Sequence, residues 1–270
     1  ADGFGNLYQY RKMQQGFKNS SAIFQRGMNI VLQGLINKVC LVYLDDMLIF
    51  GETLDELKKN EQTVKNCLDK FKLIVNDEKS IWGQTEIEFL GYKISFNKIL
   101  PIESRASGIL NFPTQKNKTE LRQFLGMVNF NRLFLPFIAD KLELLHKLTS
   151  EKTQFVWSDK EKRLFDEVKS RFSRHVELTI PDMNIPFILE TDASEKGLGA
   201  LLRQGNNPIA YASRVLNSSE CNYGISEKEF LALIWGIQKF EYFLIGKPFT
   251  VFTDHQPLVA IHKKGKFATP

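Results

Sequence analysis

Val39-Cys40-Leu41-Val42-Tyr43-Leu44-Asp45-Asp46-Met47-Leu48-Ile49-Phe50 places a pair of adjacent carboxylates between two apolar runs of strand length. Such runs around a polar dipeptide predict a tight β-hairpin with both aspartates at its tip. Neighbouring negative charges at the end of buried arms repel one another unless a cation or solvent compensates. A divalent metal is one such compensator, because Mg²⁺ takes one or two carboxylates together with phosphate oxygens. A solvated Asp-Asp turn has the same pattern, and the dipeptide alone does not separate the two readings.

The remaining composition narrows the classes. A chain of 270 residues can bury more than one core. Its 43% apolar and 25% charged residues are those of a soluble globular protein. No run of about 18 apolar residues and no charged-then-apolar leader is visible, so neither a membrane span nor secretion is expected. Cys40, Cys67 and Cys221 are odd in number and lack C-x-x-C spacing, which points away from a disulfide framework or zinc site and toward a reducing compartment. Ahead of Asp45 the chain carries Arg11, Lys12, Lys18, Arg26 and Lys38 against Asp2 alone. A basic segment leading into an acidic site suits a polyanion gripped beside the chemistry, and ordinary solvated cations give the same count.

Further motifs follow in order. Leu7-Tyr8-Gln9-Tyr10-Arg11-Lys12-Met13-Gln14-Gln15-Gly16-Phe17-Lys18-Asn19-Ser20-Ser21-Ala22-Ile23-Phe24-Gln25-Arg26 precedes Tyr43-Leu44-Asp45-Asp46, and Glu88-Phe89-Leu90-Gly91-Tyr92 follows it. Leu121-Arg122-Gln123-Phe124-Leu125-Gly126 and Leu189-Glu190-Thr191-Asp192-Ala193-Ser194 come later. In order and spacing this series resembles the reverse transcriptase and ribonuclease H region of a pol polyprotein from a gypsy-type LTR retrotransposon or retrovirus, over nearly the whole chain. The resemblance implies an α+β protein of two or three domains. Residues 1–100 would hold partial fingers and a palm, an antiparallel sheet with helices on one face. Residues 101–184 would form a helical thumb and connection, and residues 185–270 a ribonuclease H-like mixed sheet with helices.

Periodicity supplies the elements independently. Ser20-Ser21 can cap a helix through Ile23, Phe24, Met28, Ile30, Val31 and Leu35, all expected in the core. Leu54, Leu57, Val64, Leu68 and Phe71 mark an amphipathic surface helix. Residues 87–95 read as a strand pair with a close approach at Gly91. From Thr119 to Ser173 the pattern is helical, with Asn117 or Thr119 as one cap, Pro136 in the first turn of a second helix, and a Ser158-x-x-Glu161 capping box opening a third. Phe124, Phe130, Phe134 and Phe137 fit helix contacts better than base stacking. Strands are expected at residues 187–191, 197–203, 209–213 and 250–253, with a helix from Ser226 to about Phe243.

The resemblance also assigns roles. Asp45 is implied as the main hairpin metal ligand and Asp46 as an accessory one, with Tyr43 at the primer end. Gln15 and Gly16 lie against nucleotide and template in the family, and Arg11 and Lys12 fall in the same binding segment; Gln14 stands where the family usually has Pro. Asp192, Glu229 and Asp254 are implied to converge and hold two Mg²⁺ ions, Mn²⁺ being an alternative, for in-line attack of water on RNA. Ser226-x-x-Glu229 is itself a capping-box pattern and Glu227 lies nearby, so the helix offers two candidate glutamates. His255 reads as structural or phosphate-facing.

The implied function is RNA-directed DNA synthesis coupled to ribonuclease H, by two-metal phosphoryl transfer at both sites. The implied partners are RNA template, DNA primer, RNA/DNA hybrid and dNTPs, with a dimer or polyprotein neighbours such as protease and integrase, no membrane, and a cytoplasmic virus-like particle with a nuclear phase. The family uses a further palm aspartate upstream and a fourth acidic residue downstream. Asp2 is the single upstream candidate and the sequence ends at Pro270, so weak or no activity is expected of these residues alone. A degenerate or host-adopted module that binds hybrid or protein without catalysis is the alternative.

Overall fold

In the computed structural model, which describes residues 4–6, 8, 10–14, 16–173 and 176–258, the quoted stretch forms the expected hairpin: β1 (Cys40–Tyr43) pairs antiparallel with β2 (Asp46–Ile49). Cys40 is fully buried, whereas Leu41 and Tyr43 on the same strand are exposed, so the arms are half-buried ribbons. Two helices pack on the hairpin, α1 (Ser20–Val31) and α2 (Leu54–Lys70), around Met28, Leu32, Cys40, Val64 and Leu68. Buried Asn60 of α2 donates to the Phe50 carbonyl at 2.8 Å and ties that helix to the end of β2. β3 (Glu86–Phe89) completes this first unit, which ends at Leu90.

Two expectations for α1 are corrected. Ser20 is its first residue rather than its cap, and its hydroxyl donates to the Gln14 carbonyl at 2.8 Å. Ile23, Phe24 and Ile30 are exposed; the buried contacts come from Met28 and from Leu32 beyond the helix end.

The second unit runs from Gly91. Its first layer is a short antiparallel ribbon, β4 (Tyr92–Ser95), β5 (Lys98–Pro101) and β6 (Leu178–Thr179). Between β5 and β6 come α3 (Glu103–Leu110), α4 (Lys118–Phe130), a 3₁₀ turn (Arg132–Phe134), α5 (Ala139–Leu148) and α6 (Asp159–Phe172). Asn117 caps α4 by accepting from the Glu120 amide, and the Ser158–Glu161 capping box opens α6 as expected. Pro136 lies before α5 rather than in its first turn, because that helix begins at Ala139. Phe124 and Phe134 are fully buried, and Phe124 meets Phe165 with centroids 4.5 Å apart. Phe130 is half-exposed and stacks on Tyr92 at 5.3 Å. The close approach expected at Gly91 is present: at φ 84° it sits against Arg105 and Phe130 with no room for a Cβ.

The last layer is a four-stranded sheet in the order β10-β7-β8-β9. Strands β7 (Phe187–Ala193), β8 (Gly197–Gln204) and β9 (Asn207–Val215) are antiparallel neighbours, and β10 (Phe249–Phe252) runs parallel to β7. Between β9 and β10 lie α7 (Ile225–Lys239) and a short α8 (Glu241–Leu244), where one helix to Phe243 was expected. α7 covers one face of the sheet. Its Gly236 lies so close to Leu189, Thr191 and Ala200 that an added Cβ would be 2.9 Å from Thr191 Cγ2. The opposite face meets the helical layer, where the Phe137 ring rests directly on Gly199.

Candidate active-site carboxylates

The hairpin tip is tighter than the sequence suggests. Tyr43 and Asp46 are a register pair, so Leu44 and Asp45 form a two-residue loop and Asp46 is already the first residue of β2. Leu44 has a φ of 54°, which a leucine adopts only under constraint. The constraint is Gln25 of α1, whose Oε1 accepts from the Leu44 amide at 2.6 Å while its Nε2 donates to the Val42 carbonyl at 3.2 Å. Sequence reasoning missed Gln25; the one available signal was a polar residue inside the apolar pattern of α1.

Asp45 and Asp46 are both exposed. Solvent therefore screens their repulsion, and charge crowding alone does not demand a cation here, which corrects the argument from buried arms. Tyr43 is 56% exposed on the same hairpin. Arg11, Lys12 and Gly16 are exposed ahead of α1, with Gly16 turning at φ 88°. Gln15 and Asp2 lie outside the described residues.

The second set comes from three separate elements. Glu190 and Phe252 are the last register pair of the parallel strands β7 and β10, and Asp192 and Asp254 each lie two residues further on. Glu229 lies in the second turn of α7, close enough for the charges of both to act on it. The Ser226-x-x-Glu229 capping box, the alternative role for Glu229, is not formed. Gly224 is the N-cap, and Glu227 accepts from its backbone amide at 2.7 Å. Capping thus consumes Glu227, and Ser226 instead meets His255 Nε2 through its hydroxyl at 2.9 Å.

Glu229 is 6% exposed. Its Oε1 accepts from the Ala193 amide at 3.2 Å, while its Oε2 is buried with no hydrogen-bond partner. Burial pushes its carboxyl pKa upward; the Ala193 amide opposes this, the charges of Asp192 and Asp254 add to the rise, and His255 offsets part of it. A partnerless carboxylate oxygen beside two further carboxylates is a costly arrangement unless a cation completes it. Among the described residues no three of His, Cys, Asp and Glu are gathered tightly enough to hold an ion as they stand. The donor set is all oxygen, which suits Mg²⁺ or Mn²⁺, and Glu229 Oε2 is the atom that lacks a partner.

The chain is similar to known proteins in both of its acidic regions. Residues 2–94 match the family described as reverse transcriptase (RNA-dependent DNA polymerase), and residues 182–269 match the RNase H-like domain found in reverse transcriptase. The chain is 36% identical over 262 residues to the retrovirus-related Pol polyprotein from transposon 297 of Drosophila melanogaster, covering 94% of this chain and 24% of that protein. It is 33% identical to the corresponding protein from transposon gypsy of the same fly, over 94% of this chain and 26% of that protein. The Tf2-3 polyprotein of Schizosaccharomyces pombe is 30% identical over 94% of this chain and 20% of its own length. The chain therefore spans about a quarter of the length of these relatives. Among solved structures, a foamy viral protease-reverse transcriptase with double-stranded DNA superimposes with a TM-score of 0.82 at 27% identity, over 96% of this chain and 54% of that one. The same protein with RNA/DNA hybrid gives 0.80 at 27% identity, over 96% and 36%.

Proposed function

Because the chain carries the reverse transcriptase and RNase H-like domains of a Pol polyprotein, with homologues in gypsy-type and Tf2 LTR retrotransposons, we propose that it works on RNA/DNA hybrid through both carboxylate sets. Asp192, Glu229 and Asp254 cleave the RNA strand, and Asp45 with Asp46 serves primer extension from dNTPs on an RNA template. The observation that carries this reading is Glu229: a carboxylate with the burial of a core residue and one oxygen left without a partner, flanked by Asp192 and Asp254.

When bound, Mg²⁺ supplies Lewis-acid stabilisation of the phosphate and acidifies the attacking water. The protein's own part is positioning. The Ala193 amide holds Glu229 Oε1 and so fixes how Oε2 is presented. Asp192 and Asp254, both exposed at the ends of adjacent parallel strands, offer their oxygens where a sugar-phosphate backbone can approach. In the palm, Gln25 holds the turn that presents Asp45, and the exposed Tyr43, Arg11, Lys12 and Gly16 are assigned to primer, template and nucleotide.

The test is RNA/DNA hybrid binding and cleavage with and without Mg²⁺. Expected are tighter binding with the metal, loss of that gain in Asp45→Asn and Asp192→Asn, and a salt-dependent affinity throughout. Metal-indifferent binding identifies a hybrid-binding module without catalysis, and absence of salt-dependent binding overturns both.

A further inference from the structure

Asp192 stands at one end of a row that crosses the sheet. Its register partner on β8 is Gly199, and the partner of Gly199 on β9 is Ser213. Directly opposed residues of antiparallel strands share a face, so Asp192 and Gly199 project on the side away from α7. That side is occupied by the segment between α4 and α5. The Phe137 ring lies on Gly199 where a Cβ would otherwise be, and Arg132 Nη2 donates to the Ser213 carbonyl at 2.7 Å. Two residues back along β8, on the same face, a Cβ at Gly197 would be 3.2 Å from Asp140 Oδ1. The segment itself is held firmly. Phe137 has a φ of 47°, outside the ordinary range for an aromatic residue, and Arg171 of α6 donates to the Pro136 carbonyl at 3.1 Å and to the Phe137 carbonyl at 3.4 Å.

We propose that Phe137 is a positioning residue for Asp192: the helical layer, through the Phe137 ring on Gly199 and Arg132 on Ser213, sets the height and tilt of the strand row that presents the carboxylate. A metal ligand on a strand end is only as well placed as its backbone, and supporting contacts around metal ligands are worth about 10–100-fold in metal affinity or activity. Gly199 is required for the same reason, since any side chain there would lift either the ring or the strand.

This proposal rests on the reading of Asp192 as a ligand, and the experiment keeps the two apart. Mn²⁺ affinity, RNA/DNA hybrid cleavage and thermal midpoint are measured on the full chain and its variants. Phe137→Ala is expected to weaken Mn²⁺ binding and slow cleavage about tenfold, and Phe137→Tyr, which keeps the ring, to remain near the parent. Gly199→Ala is expected to be impaired alone, yet no worse than Phe137→Ala when the two are combined, because both act through one contact. Phe165→Leu, in the helical core away from the row, controls for lost stability. It should lower the midpoint and leave Mn²⁺ affinity unchanged. If Phe137→Ala behaves like Phe165→Leu, or if the pair is additive, Phe137 is packing alone and the proposal is overturned. Asp192→Asn separates the levels: loss of Mn²⁺ binding there with none in Phe137→Ala removes the positioning role only, whereas no loss in Asp192→Asn removes the functional reading beneath it.

Discussion

On the reading proposed above, Glu229 combines two demands that conflict without a cation, since its burial disfavours the charge that ligation would need. Glu229→Gln should therefore raise the thermal midpoint in EDTA by the equivalent of about 1 kcal/mol. The same change should cost at least about a hundredfold in hybrid cleavage. Calorimetry and a cleavage assay on one preparation check both, and a midpoint that falls contradicts the assignment. The choice of Glu229 over Glu227 was only half legible beforehand. Both glutamates sit three residues after a possible cap, Gly224 or Ser226, and which of these starts the helix depends on where the preceding chain enters. Gln25 left only the mark of a polar residue inside the apolar pattern of α1, because its partners lie 17 and 19 residues away on the hairpin. Gln25→Ala should destabilise the first unit by about 1 kcal/mol, since the half-buried Leu44 amide loses its acceptor. Urea unfolding measures this.

At the level of elements, sequence reading succeeded where the signal is local. The hairpin at residues 40–49, the Ser158–Glu161 box and the strands of the last sheet all follow from patterns within a few residues. It failed for the outer face of α1, where Ile23 and Ile30 have helical spacing but are exposed, because periodicity says nothing about which neighbours arrive. Asn117→Ala should cost about 1 kcal/mol through the lost cap of α4. Glu220 offers a pH test of the loop ahead of α7. Arg214 Nη1 and Nη2 meet its carboxylate at 2.6 and 2.9 Å. The Arg214 hydrogen bond pulls its pKa below the ordinary range, partial burial opposes this, and the Asn217 amide adds to the fall. With the folded pKa depressed, the pair's contribution is complete above the unfolded value of about 4.3 and is lost as pH falls through the depressed one. Glu220→Gln should thus melt below the parent at pH 7, and the gap should close in acid; a gap constant with pH would contradict the pairing.

At the scale of the molecule, the change in periodicity near Pro186 lies close to residue 182, where the RNase H-like match begins, and packing nevertheless continues across it. The contacts responsible, Phe137 on Gly199 and Arg132 on Ser213, span 62 and 81 residues and leave no mark on either local pattern. Native-state hydrogen exchange should therefore find the central amides of β8 and of α5 opening together, with matching free energies. Separate openings would show that the helical layer and the sheet are independent.

The parallel pairing of β10 with β7 has a consequence for synthesis. Phe249 joins Phe187 only after 62 further residues have left the ribosome, so until then one flank of β7 carries unmatched amides and carbonyls. Asp192 is translated long before Asp254 can stand beside it. On the reading proposed above, a nascent polypeptide therefore emerges with its Asp192–Asp254 pair unassembled, and hybrid cleavage must wait until β10 slots in beside β7.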